Sequence, residues 1–307
     1  DTSDIGTFPK RNPPISKRPG LTDLSKAINY NEIFEQLNLL RLCIYTPTDY
    51  ILPSKLAKYK DVYDSNHVRG GLTQSGREQG IRRLINLMKR MESSVYSFRL
   101  TLKRINDLIT DTIKSIADFE HGYNKSSLNL NDITNMDLDG DDQNDDVFAI
   151  GKKVRIDIAD MDYKSWRREL ERDKEILDLL LAMIADITPA HDSKLQTLFD
   201  VIDEKQEHPI NTGNKKIIIF TAFADTANYL YDTVSVYVKK KYGLDTAIIT
   251  GSVDGKTTIK GLKTDLNTVL TCFSPVSKGK SLLLPDEKAE IDILIATDCI
   301  SEGQNLQ

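Results

Sequence analysis

Three threonines close three apolar runs in the C-terminal third of the chain. Ile217-Ile218-Ile219-Phe220 ends at Thr221, Ala247-Ile248-Ile249 ends at Thr250 followed by Gly251, and Ile293-Leu294-Ile295-Ala296 ends at Thr297. After Thr297 come Asp298, Ser301, Glu302, Gly303 and Asn305, small and polar residues suited to face a ligand. In open α/β sheets ligands gather at the carboxyl ends of strands, which makes this loop a candidate site by position.

Such residues need strands to carry them. The run from Ile291 to Ile295 is too short for a helix and suits a strand buried on both faces of a parallel sheet. Lys215–Thr221 and Asp245–Thr250 read the same way, and Ala224–Tyr242 has helical spacing between them. Parallel pairing of the three strands would place Thr221, Thr250 and Thr297 on one rim.

These segments resemble a family. KIIIFTAFADTANYL resembles motif IV, AIITG the next strand and loop, and IATDCISEGQNLQ motif V of the second RecA-like lobe in superfamily 2 helicases. The nearest likeness is to the Swi/Snf-type branch, including bacterial helicase-like proteins whose motif V reads TD-x-x-SEG-x-NLQ. The resemblance implies an α/β fold, with an incomplete RecA-like parallel-sheet lobe over 207–307. It implies the C-terminal lobe of an ATP-dependent, nucleic-acid-stimulated helicase or translocase. Thr297 matches the motif V threonine that contacts a backbone phosphate, and Thr221, Thr250 and Gly251 match other strand ends along that track. Gly303 and Asn305 match positions turned toward the interlobe cleft, and Glu302 supports their loop. The expected partners are nucleic acid, with DNA the expected kind, and a first RecA-like lobe; ATP and Mg would bind between the two lobes of the complete protein.

The departures matter as much. No Walker lysine or DE-x-x box appears, and the motif VI arginines that stabilise charge on the transferred phosphate would lie past Gln307. The chain opens with Asp and stops two residues after Asn305, so we expect a fragment without ATPase activity of its own. Two other readings stand beside this one. Gly251 to Gly255-Lys256-Thr257 imitates a P-loop of a standalone nucleotide-binding enzyme, but with three residues between the glycines where a P-loop has four. A helical interaction scaffold is the other.

Composition bounds these readings. The 307 residues carry a formal charge of −5, with 28% charged and 39% hydrophobic residues, an ordinary soluble balance with room for two domains. Cys43, Cys272 and Cys299 are odd in number and far apart, which fits a reducing, cytoplasmic setting and no metal site. No apolar run is long enough to span a membrane.

Upstream, residues 1–23 form a proline-rich basic strap, and 24–206 a helical module. Thr22 or Asp23 would cap a helix reaching Ile44. From Ile81 to Ile116 apolar residues recur every three or four positions, predicting one helix about 55 Å long. Trp166, Leu170, Leu177, Leu180, Ile184 and Ile187 continue that spacing, with Asp173 breaking the stripe, and predict an antiparallel partner. Arg82, Arg83, Lys89, Arg90, Arg99, Lys103 and Arg104 read as a solvated face. Between the helices, 124–150 is acidic and expected to be a mobile loop. Its Asn135-x-Asp137-x-Asp139-Gly140 run imitates a calcium loop but fails at Asp142 and Asp146. Val154, Ile156 and Ile158 alternate as in a short strand, and Asp192 starts a further helix.

Overall fold

The computed structural model describes residues 10–59, 71–122, 127–129, 155–251 and 255–297. The chain divides into two compact units, Ser25–Asp186 and Asp1–Leu24 with Ile187–Gln307. The second unit is therefore built from both ends of the chain, with the first inserted between them.

In the helical unit, α1 spans Tyr30–Leu37, α2 Gly71–Ser93, α3 Val95–Glu120 and α4 Tyr163–Met183. The apolar seam is present: Leu87, Met91, Val95, Phe98, Leu102, Ile105, Ile109 and Ile116 are all buried. The single long helix is not. Ser94 is extended, at φ −159° and ψ 148°, and its side chain accepts the N–H of Ser97. A serine in this role ends one helix and caps the next, because its hydroxyl competes for backbone N–H groups. Helix α4 runs antiparallel to α3. Glu120 pairs with Arg167 at 2.9 Å, Asn106 donates to Asp178 at 2.6 Å, and Arg99 donates to the carbonyl of Ile184.

The polar residue in the α4 stripe is an anchor. Asp173 is 1% exposed, and its two carboxylate oxygens accept the backbone N–H groups of Arg41 (2.8 Å) and Cys43 (3.0 Å). Between them Leu42 is held left-handed at φ 53°, a strained setting for a branched side chain. Fully buried Trp166, two turns earlier on α4, donates its indole N–H to the carbonyl of Cys43 at 3.0 Å. Burial pushes the Asp173 carboxyl above its ordinary range, against the lowering effect of the two amides.

Three other expectations for this unit are corrected. The first helix begins at Asn29, whose side chain caps Asn31 and Glu32, while Thr22 and Ser25 accept N–H groups two residues on and make turns instead. Of the basic residues of α2 and α3, Arg82, Lys89, Lys103 and Arg104 are solvated as expected, but the other three are not part of that face. Arg90 is buried and donates to Ser97, Arg83 lies over the Tyr45 ring, and Arg99 holds Ile184. Within the acidic stretch, β1 (Ser127–Asn129) pairs antiparallel with β2 (Arg155–Asp157). The calcium-like run Asn135–Gly140 lies outside the described residues.

The α/β unit contains α5 (Ser193–Glu207), β3 (Ile217–Phe220), α6 (Ala224–Tyr242), β4 (Thr246–Ile249), β5 (Lys256–Thr257), α7 (Leu266–Phe273), α8 (Lys280–Leu283) and β6 (Ile293–Ala296). The strand order is β3-β6-β4-β5, with the first three strands parallel and β5 antiparallel at the edge. The sheet is therefore mixed, where the sequence suggested a parallel one. Central β6 is buried along its whole length, which is why it reads as an unbroken apolar run.

Alternation along the strands sorts the core into two layers. Ile217, Ile219, Ile248, Ile293 and Ile295 pack with Leu195, Ile202, Ala227, Val234 and Val238 of α5 and α6. Ile218, Ala247, Ile249, Leu294 and Ala296 face Val269, Leu270 and Phe273 of α7. Helix α5 thus belongs with the sheet, and the boundary between units falls at 186/187 rather than at 207. Asp192 fixes that helix. One of its oxygens caps Lys194 and Leu195, and the other accepts the Tyr229 hydroxyl of α6 at 2.9 Å. Asp203, near the other end of α5, accepts hydroxyls of Tyr237 and Tyr242 and the ammonium of Lys241, all from α6 or its end. The strap joins this unit as well: Thr22 forms a β-bridge with Asp192, and the Asn211 amide bonds both backbone groups of Lys10.

Candidate functional site

The register decides whether the three threonines share a rim. Phe220 pairs with Ala296, and Ala296 pairs with Ile249, so Thr221, Thr297 and Thr250 follow at one level. The ladder continues through that level. The N–H of Thr221 donates to the carbonyl of Ala296 at 3.0 Å, and the N–H of Thr297 to that of Ile249 at 3.3 Å. Because side chains alternate, residues 217, 219 and 221 share a face, as do 293, 295 and 297, and 246, 248 and 250. All three are the α5–α6 face, so the hydroxyls stand in one row on one side of the sheet.

Their accessibility differs. Thr221 is half-buried, whereas Thr250 is 8% and Thr297 4% exposed. The Thr250 hydroxyl is enclosed and has no hydrogen-bond partner among the described residues. Leaving such a group unpaired costs about 1–3 kcal/mol, and the hydroxyl of Thr246, at the other end of β4, is likewise enclosed without a partner among the described residues. Gly251 is exposed at the turn that follows. Glu302, Gly303 and Asn305 lie outside the described residues, as does Asp298.

The loop after β4 does not make a P-loop. Lys256 and Thr257 form the edge strand β5, whereas a P-loop lysine opens a helix; the next helix among the described residues is α7, at Leu266. Gly255 has a packing reason for being glycine. A Cβ there would meet the carbonyl oxygen of Thr264 at 2.4 Å and that of Ile248 at 3.2 Å. The lysine instead reaches sideways, its ammonium 3.3 Å from Oδ1 of Asn228 on α6. Sequence spacing singled out Lys256 only as an element of the P-loop pattern. Its place beside the threonine rim depends on pairing with β4, which the sequence does not state.

Against known protein families, characterised proteins and solved structures, the chain has no match. The site is read from its own residues. Among the described residues no three metal-binding side chains gather, and no helix is long and apolar enough to cross a membrane. Cys43 and Cys272 are buried free thiols, and burial pushes both up from the ordinary thiol value. Cys299 is outside the described residues.

Proposed function

We propose that this chain is the C-terminal lobe of an ATP-dependent, nucleic-acid-stimulated helicase or translocase, with a RecA-like sheet contacting the nucleic-acid backbone. The observation that carries the reading is the register that brings Thr221, Thr250 and Thr297 into one row at the carboxyl ends of three parallel strands. Hydroxyls and amides in a row can follow a phosphate backbone of any sequence, which is what a motor needs. The motif resemblance supports the same reading through Glu302, Gly303 and Asn305, which would meet ATP and Mg across a cleft closed by a first lobe.

On this reading the ATP chemistry needs a first lobe and transition-state arginines, and the expected outcome is that the chain by itself hydrolyses no ATP above background, with or without DNA. Fluorescence anisotropy with a labelled duplex tests the rim. Thr297→Ala removes one modest hydrogen bond, about 1 kcal/mol, which weakens binding about five-fold and leaves its salt dependence unchanged. Hydroxyl contacts release no counterions, so the slope of log K against log salt is shallow, on the order of two to four, and is set by neighbouring lysines and arginines. A steep slope that collapses when the exposed Arg82, Lys89, Lys103 and Arg104 are neutralised, with Thr297→Ala silent, would move the binding surface to the helical unit.

A further inference from the structure

We propose that Lys256 is a phosphate-contacting residue of this rim and supplies one of the cations that give nucleic-acid binding its salt dependence. The proposal rests on the nucleic-acid reading above and adds a residue to it. Lys256 pairs with Ile248 across the β4–β5 ladder, and directly paired residues of an antiparallel ladder point to the same face. Ile248 faces α5 and α6, the side that also carries the row Thr221, Thr297 and Thr250.

The lysine stands two residues below the rim level on its strand, about 7 Å along the axis, a gap that its side chain spans. Its ammonium lies beside the start of α6, near Asn228. The Asn228 amide is oriented by donating to the carbonyl of Ala224 at 3.0 Å, which turns its oxygen toward the lysine. That bond is long, 3.3 Å, and exposed, so an incoming phosphate oxygen exchanges for it at little cost.

Charge makes the position decisive. The first turn of α6 also carries Asp225, so a cation at this place lowers the negative charge that an approaching phosphate meets. A lysine acts on phosphate as a compact, mobile point charge, needing no fixed fork of donors. The Thr250 hydroxyl, on the adjoining strand, has no hydrogen-bond partner among the described residues.

The test is an anisotropy titration of a labelled duplex at several salt concentrations, using the intact chain with Lys256→Ala, Lys256→Arg and Thr297→Ala. Circular dichroism confirms that each variant is folded. Lys256→Ala is expected to flatten the slope by about 0.9, so that its binding deficit shrinks about 3.5-fold between 50 and 200 mM salt. Lys256→Arg restores the slope, and Thr297→Ala weakens binding without altering it. An unchanged slope in Lys256→Ala, with Thr297→Ala still weakened, overturns the lysine assignment alone. If neither variant weakens binding, the rim reading itself fails. Competition by free triphosphate that disappears in Lys256→Ala, with an unchanged DNA slope, would assign the lysine to a nucleotide and also overturn the proposal.

Discussion

Replacing Asp173 with leucine separates two ways of understanding the helical unit. The position lies in an apolar stripe, 1% exposed, so burial of a leucine there should contribute about 1.5–3 kcal/mol if the stripe were all that mattered. The carboxylate, however, accepts the N–H groups of Arg41 and Cys43 at 2.8 and 3.0 Å. Hydrogen bonds to a charged acceptor contribute about 1.5–3 kcal/mol each, and their loss leaves both amides short of an acceptor. The left-handed Leu42 between them, already strained by about 1–2 kcal/mol in the folded protein, can relax once its two clamps are lost, which offsets part of the loss. Relief of the desolvated charge and burial of leucine offset part of this, leaving a net destabilisation of about 1–3 kcal/mol. Trp166, the single tryptophan, is bonded to the same turn and reports its unfolding by fluorescence. In urea the midpoint should fall by about 0.5–1 M with little change in slope. A midpoint that stays or rises in Asp173→Leu would refute the anchoring account and restore the simple apolar stripe.

Two further changes probe the α/β unit. Burial works to raise the Asp203 carboxyl, but the Lys241, Tyr237 and Tyr242 bonds overcome it and hold the folded group below its ordinary value. Its contribution is present above the unfolded value near 4 and is lost as pH falls through the folded one. Asp203→Asn should therefore be about 1–2 kcal/mol less stable at neutral pH and less sensitive to acid below about pH 4, as followed by circular dichroism. Equal acid sensitivity in both proteins would contradict the assignment. Gly255→Ala sets a Cβ 2.4 Å from a backbone oxygen and should lower stability by about 1–3 kcal/mol in a thermal melt. An unshifted melting point would show that the β4–β5 turn has room to give.

The sequence by itself determined the elements wherever burial and local chemistry agreed. Strands β4 and β6 were legible because central strands covered on both faces must be apolar throughout, and β3, at the edge and only partly buried, was legible from its unbroken apolar run. Helix α6 was legible from its spacing and closes on Gly243 in the left-handed region. The seam from Met91 to Ile116 was legible because one face of a helix recurs every three or four residues, whereas in α2 Leu87 is buried where the spacing pointed to Leu84 and Met88. The break at Ser94 was not. A serine inside a periodic stripe changes neither its spacing nor its polarity enough to announce a cap.

Tertiary structure alone decided the rest, because the remaining relations join residues far apart in the chain. The antiparallel edge strand at Lys256–Thr257 exists only through pairing with β4. Asp173 became an anchor only when Arg41 and Cys43 arrived beside it, and α5 joined the sheet only when its apolar face met Ala227 and Val234. The sequence could propose that three threonines end three strands. Whether they form a row on one face depends on register, and a shift of one residue between parallel strands would have turned one hydroxyl to the opposite layer. That register is fixed by the isoleucines of β6, which interdigitate with α5 and α6 on one face, while Leu294 and Ala296 meet α7 on the other.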